Sequence, residues 1–321
     1  MRKTRTDIST VSQWLKANDN YLILLHASPD GDAVGSGYGL CRALMQMGKS
    51  VRCACHDPIP ARYDYMVEGV ASREFEPEHV IAVDLADTKL LGSLQELYAD
   101  KIELCIDHHV SNRLDCPMLL LDGDASAACE VMYRLILEMG CDINADISAC
   151  LYTGIATDTG CFKYSNTSAE THVVAARLIE AGAPYAYINR VMFDTKSRAR
   201  LEVERMVLDS IEYRFDNRCA MIVVTDEMQN MTTPDDLEGI TALSRQIEGV
   251  EVGLTFRHRG PDRYKVSVRT SESVDASAIC GRLGGGGHVR AAGCEVCLPI
   301  DEAKAAVINA VAEEMGIKCK D

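Results

Sequence analysis

The string HASPDGDAVGS, residues 26–36, brings His26, Asp30 and Asp32 close together along the chain. Pro29 and Gly31 bend it, so the two carboxylates can turn toward a common point. Alone this is ordinary turn chemistry, with Asp30 and Gly31 making a turn and Asp32 capping a helix. Three further segments change that balance. Asp84 ends the apolar run 79–85, and Asp107, His108 and His109 follow a run that ends at Ile106. Asp158 continues the series Ile147, Leu151, Ile155, which places it on the inward face of a helix. A carboxylate there must be paired or metal-bound, because an isolated buried charge is too costly. Polar groups converging from four segments match a metal site better than four separate structural roles.

The donor types narrow the metal. His26 and His108 offer imidazole, and Asp30, Asp32, Asp84 and Asp158 offer oxygen, with no thiolate among them. That mixture suits Mn2+, with Mg2+ or Co2+ as stand-ins. The charge of two divalent ions equals that of four carboxylates, which leaves the pair able to take an anionic phosphate. Two metals about 3.5–4 Å apart are the usual arrangement for hydrolysing phosphate esters.

The surrounding pattern supplies elements to hold these groups. Runs at 21–25, 79–85 and 101–106 are short and continuously apolar, as expected of strands buried on both faces of a parallel sheet. Helical patterns cover 33–47 and 126–139, stopping at Gly48 and Gly140. This alternation predicts an α/β, doubly wound, mostly parallel sheet with its functional groups at the strand C-termini. Residues 195–213 are dense in charge and read as a connecting helix. Strands at 219–225, 251–257 and 264–270, a helix at 275–283 and a helix opening at Asp301 predict a smaller α+β domain. The expected division is 1–194, a linking helix 195–213, and 214–321.

Length and composition set the outer limits. The chain has 321 residues, 47% hydrophobic and 25% charged, with a net charge of −15. Such an acidic chain repels long duplex nucleic acid unless it gathers positive charge locally. The apolar runs fall far short of a membrane span, so no membrane partner is expected. Residues 1–10 lack the apolar stretch of a secretory signal. The 14 scattered cysteines then read as reduced thiols in a cytoplasmic protein.

Five strings carry a family resemblance. HASPDGDAVGS, Asp84 in AVDLAD, DHHVSN at 107–112 and TDTGCFKYSNT at 157–167 resemble the four motifs of the DHH phosphoesterases. GGGGHVRAAG, 284–293, resembles the signature of the DHHA1 domain that accompanies them. The compact plan is most similar to the nanoRNase branch, oligoribonucleases and phosphatases of 3′-phosphoadenosine 5′-phosphate. The resemblance implies one metal on His26, Asp30 and Asp84, and another on Asp32, Asp84, His108 and Asp158, with Asp84 bridging. It implies that Asp107 orients the histidines, that His109 faces the phosphate or leaving oxygen, and that Asn112 contributes to substrate binding. The partners it implies are short RNA, dinucleotides or small nucleotides, and it leaves a homodimer open. A cyclic-di-AMP phosphodiesterase is the alternative enzyme, and a nucleotide-binding sensor the non-enzyme alternative. Family II pyrophosphatases fit less well because their Arg-Lys-Lys element is absent, and RecJ-type exonucleases because they are considerably longer.

Positive charge gathers late in the chain. Residues 257–290 hold Arg257, Arg259, Arg263, Lys265, Arg269, Arg282 and Arg290 against Asp262, Glu272 and Asp275. The glycines 284–287, with Gly285, Gly286 and Gly287 as backbone donors, allow close approach to a phosphate or base. His288, Arg269 and Arg290 are the expected side-chain partners of the far end of a short substrate. Cys294 and Cys297 have the spacing of one half of a zinc knuckle with no second pair, so buried thiols are expected.

Overall fold

The structure, a computed structural model, describes residues 5–70, 75–240, 243–271 and 273–317, without the side chains of 234, 235 and 238. Glu272, counted above against the basic cluster, lies outside these residues. The chain divides into two compact units, Met1–Thr195 and Lys196–Asp321.

In the first unit, α1 (Ile8–Ala17) precedes β1 (Tyr21–Leu24), α2 (Gly31–Gln46), β2 (Val51–Ala54), β3 (His79–Val83), β4 (Ile102–Asp107) and β5 (Met118–Leu121). Then come α3 (Ala128–Glu138), α4 (Ala145–Asp158) and α5 (Ala169–Glu180). The strands form one parallel sheet in the order β2-β1-β3-β4-β5. Both faces are buried, which is why the strands read as apolar runs without alternation. Tyr21, Ile23, Ile81, Val83, Leu104 and Ile106 pack toward α1, α2, α3 and α4. Leu22, Leu24, Val80, Ala82 and Cys105 pack with Leu91 and Leu94 of the helical turns at 88–98. Gly48 and Gly140 take the left-handed conformation just past α2 and α3, as their positions predicted. In this strand order the connection reverses between β1 and β3, and sheets of this kind place their functional crevice outside the strand C-termini there.

The second unit holds α6 (Arg198–Asp209), β6 (Glu212–Arg214), β7 (Cys219–Val224), β8 (Val252–Gly260), β9 (Arg263–Thr270), α7 (Ala276–Gly281), β10 (Gly286–His288), β11 (Ala291–Cys297) and α8 (Ile300–Glu314). Its sheet runs β10-β11-β9-β8-β7-β6, parallel only at β7–β8. Leu254, Phe256, Val266 and Val268 form a core with Ile279 of α7 and Val307 and Val311 of α8. Val203 and Val207 seat α6 on Ile222 and Val224 of this sheet, so the helix expected over 195–213 packs within the second unit. The glycine run is in part strand β10. A Cβ at Gly285 or Gly287 would run into Gly293 or Ala292 of β11, so tight hairpin pairing itself demands these two glycines. Gly286 faces open space.

Candidate metal centre

His26 stands just past β1, Asp84 just past β3, and Asp107 ends β4. Asp30 and Asp32 lie at the start of α2, and Asp158 is the last residue of α4. Two glycine contacts bring α4 onto α2. A side chain at Gly35 would strike the Cys150 carbonyl, and one at Gly39 would crowd Leu151. Gly154 does the same from α4, where a Cβ would sit 2.7 Å from Asp32 Oδ1. The helices therefore meet at backbone distance, and Asp158 is delivered beside Asp32.

The capping roles differ from the simple reading of the Asp-Gly-Asp turn. Asp30 is the N-cap of α2, its Oδ1 accepting from the amides of Asp32 and Ala33 at 3.0 Å. Asp32 caps another helix. Its Oδ2 accepts from Ala128 N at 2.6 Å and its Oδ1 from Cys129 N at 2.9 Å, at the start of α3, whose own Ala127 offers no side-chain cap. Both carboxylates are thereby fixed before any ligand arrives. Burial raises Asp32 well above the usual carboxylate range, and Asp84 and Asp158 add to the effect.

Asp84 occupies the centre. It is buried and held in the left-handed region at φ 51°. Its Oδ2 lies 3.7 Å from His26 Nε2, and its Oδ1 lies 3.7 Å from His108 Nε2. His26 Nδ1 donates to the Ala27 carbonyl at 2.8 Å and His108 Nδ1 to the Ala125 carbonyl at 3.3 Å. Each ring thus turns an Nε2 lone pair toward the carboxylates, the orientation a metal-ligating histidine needs. His108 Nε2 also lies 3.3 Å from Asp158 Oδ2 and 3.8 Å from Asp32 Oδ2. Asp158 is pushed up to about 7 by burial and then by Asp84 and Asp30.

These donors fall into three groups: His26, Asp30 and Asp84; Asp32, His108 and Asp158; and Asp84, His108 and His109. Within each the ligand atoms lie within 4.8 Å of one another. The donor set fits divalent cations on a specific observation. Asp84 Oδ1 and His108 Nε2 are buried, face each other, and have no hydrogen-bond partner. Buried polar atoms are rarely left so, and a cation satisfies both.

Asp107 is fully buried beneath this cluster. Its Oδ1 accepts from His108 N, His109 N and His109 Nδ1, the last at 2.8 Å, and its Oδ2 accepts from Asn112 Nδ2 at 2.6 Å. Burial opposes its charged form, but the bonds from His109 and Asn112 win and hold it below the usual range. The Asp107 bond in turn pushes His109 up to about 9. The structure places Asn112, expected to contribute to substrate binding, against the Asp107 carboxylate. Its Nδ2 also donates to the Leu85 carbonyl and its Oδ1 accepts from Leu114 N, so the amide is spent inside the loop.

In the second unit, an open pocket of about 630 Å³ is walled by Lys265, Ser267, Arg269, the glycines 285–287 and β11. Arg269 is half-buried with Nη1 donating to its neighbour Val268's carbonyl, and burial, then Arg245, pull its proton affinity down. A cation in that position suits an anion. His288 is exposed on β10 and stands outside this wall. Arg290, also expected at the substrate, is exposed in the turn between β10 and β11. Its Nη1 donates to the carbonyls of Ser271 and Val274, which ties the guanidinium to a loop. The basic cluster is thinned further, since Arg263 pairs with Glu295 and Arg282 with Glu313 and Glu314. The described cysteines are all free; Cys294 is buried and Cys297 exposed.

Comparison with known proteins places this geometry. Residues 20–155 match the model of the DHH family N-terminal domain, and residues 219–316 match that of the DHHA1 domain. A Thermus thermophilus protein named bifunctional oligoribonuclease and PAP phosphatase NrnA is 32% identical, over 95% of this chain and 93% of its own length. This chain belongs to the DHH family. A Bacillus subtilis protein of the same name is 24% identical over 87% of this chain and 90% of its own length. A solved Bacteroides fragilis structure, described as an exopolyphosphatase-related protein, superposes with a TM-score of 0.86 at 26% identity, covering 95% of both chains. The RecJ exonuclease solved with manganese shares the fold at 12% identity and a TM-score of 0.56, covering 98% of this chain and 96% of its own. The DHH assignment makes the protein a phosphoesterase with an α/β catalytic fold followed by DHHA1. Among the described residues, no helix is long and apolar enough to cross a membrane.

Asn166, within the string TDTGCFKYSNT, has a role that no local pattern announces. Its Nδ2 donates to the carbonyls of Ser126 and Asp158, tying the end of α4 to the loop before α3. Gly35 and Gly39, the two α2–α4 contacts, stand four apart on α2, a spacing that puts them on one helix face.

Proposed function

We propose that this DHH protein hydrolyses short oligoribonucleotides and dinucleotides to mononucleotides, and 3′-phosphoadenosine 5′-phosphate to AMP. The carrying observation is the Thermus thermophilus relative named for both activities, similar along almost the whole of both chains. The site supports it with a cluster suited to two cations, His26, Asp30 and Asp84 for one, and Asp32, Asp84, His108 and Asp158 for the other. Mn2+ is the proposed ion, with Mg2+ or Co2+ able to replace it. When bound, such a pair supplies Lewis acidity toward phosphoryl oxygens and activates water near neutral pH.

The chain's own residues do the rest. Asp84 turns one oxygen to each group and sets their separation. Asp107 holds His109 by Nδ1, which leaves Nε2 of this partly exposed ring to donate to a phosphate or leaving oxygen. Residues 1–194 are proposed as the catalytic domain, 195–213 as a helical connection and 214–321 as the substrate-binding domain. In the last, Arg269, Lys265 and the open face of Gly286 supply an anion-binding surface, with His288 exposed beside them. That surface is too small for long duplex nucleic acid. A cytoplasmic location accords with the free cysteines.

The test is a substrate panel on protein stripped with chelator and reloaded with Mn2+: a short oligoadenylate, a 5′-phosphorylated diadenylate, 3′-phosphoadenosine 5′-phosphate and cyclic-di-AMP. AMP should appear from the first three, vanish on chelation and return best with Mn2+. Higher kcat/KM on cyclic-di-AMP contradicts the proposed substrate class. Nucleotide binding with no hydrolysis of any member makes the protein a sensor.

A further inference from the structure

Glu130 is a buried carboxylate on α3 that the reaction itself does not use. Its Oε2 accepts from Ser126 N at 3.2 Å, Ser126 Oγ at 2.7 Å and Thr171 Oγ1 at 3.1 Å. Thr171 is the third helical residue of α5 and completes a capping box with Ser168. Taking a carboxylate out of water is costly, and its Oε1 stands 3.9 Å from Arg134 Nη2, beyond hydrogen-bond reach. Simple core packing is better served by an apolar side chain.

What Glu130 grips explains the cost. The segment 125–129 spends its backbone on the metal cluster. The Ala125 carbonyl accepts from His108 Nδ1, and the Ala128 and Cys129 amides donate to the two oxygens of Asp32. The Ser126 carbonyl accepts from Asn166, which also holds the Asp158 carbonyl. His108, Asp32 and Asp158 make up one cation group, and none of these bonds reaches His26, Asp30 or Asp84. The geometry points to Glu130 as the positioning residue of the Asp32–His108–Asp158 cation position alone. It acts by stapling segment 125–129 between the starts of α3 and α5. This inference rests on the two-position reading above.

Mn2+ titration of chelator-stripped protein by calorimetry tests it without an activity assay. Glu130→Ala should raise the Kd of one Mn2+ position about tenfold to a hundredfold, the usual effect of losing a partner of metal ligands, and leave the other within about twofold. Glu130→Gln keeps an acceptor oxygen for the three donors and should recover most of the loss. Val131→Ala, a buried neighbour on α3, controls for lost stability and should leave both positions within about twofold. Should Glu130→Ala fail to fold, Ser126→Ala removes one of the three bonds and should weaken the same position more mildly. Equal weakening of both positions, no weakening of either, or the same loss in Val131→Ala overturns the inference while two ions still bind the wild type. A wild-type chain that takes up a single ion overturns the two-position reading together with it.

Discussion

At the scale of single residues, the site works by splitting roles among similar side chains. Asp30 and Asp32 differ by two positions yet cap different helices, and Asp107 accepts four hydrogen bonds where Asp84 Oδ1 has none. The unpartnered oxygen of Asp84 suits a cation, and the saturated Asp107 suits a brace. Asn112 belongs with the brace. Asn112→Ala removes a charge-assisted bond from buried Asp107, at a cost of about 1.5–3 kcal/mol. Thermal melting should show the loss, and kcat should fall with KM within about twofold on a dinucleotide. A rise in KM with kcat preserved would instead support a substrate-binding role for Asn112.

At the scale of elements, the close approach of α2 and α4 delivers Asp158. Gly35→Ala drives a methyl group into the Cys150 carbonyl, a backbone atom unable to rotate away. Overpacking of this kind costs about 1–3 kcal/mol. Melting temperature should drop, and Mn2+ affinity with it, because the end of α4 moves from Asp32. Unchanged melting would show that the helices meet less tightly than described. The elements bearing the site were largely legible. β1, β3 and β4 are apolar runs because both faces of the sheet are covered, and each ends at a candidate ligand. α1, β2, β5 and α5 escaped a coarse reading, since short edge strands such as Val51–Ala54 and Met118–Leu121 carry little pattern of their own. Asp32 was legible as a ligand but not as the cap of α3, a bond spanning 96 residues that no local pattern announces. For Arg290 and Asn112 the side chain's chemistry is visible in sequence, while its engagement with distant carbonyls is not.

At the scale of the whole molecule, the proposed function requires a chain of net charge −15 to bind an anion, and two local features suit that task. In the first unit the carboxylates raised by burial and mutual repulsion lose that penalty once cations sit among them. In the second, Arg269 and Lys265 line a pocket while other arginines are tied to Glu295, Glu313 and Glu314. In the proposed site Asp84 serves two cation positions at once. The most direct measurement is AMP release from a 5′-phosphorylated diadenylate by wild type and Asp84→Ala across a Mn2+ titration, with circular dichroism to confirm the fold. Losing a ligand common to both positions should lower turnover by more than about 100-fold at every Mn2+ concentration, further than losing His26 alone. Turnover by Asp84→Ala within about tenfold of wild type at saturating Mn2+ would contradict the shared-ligand site.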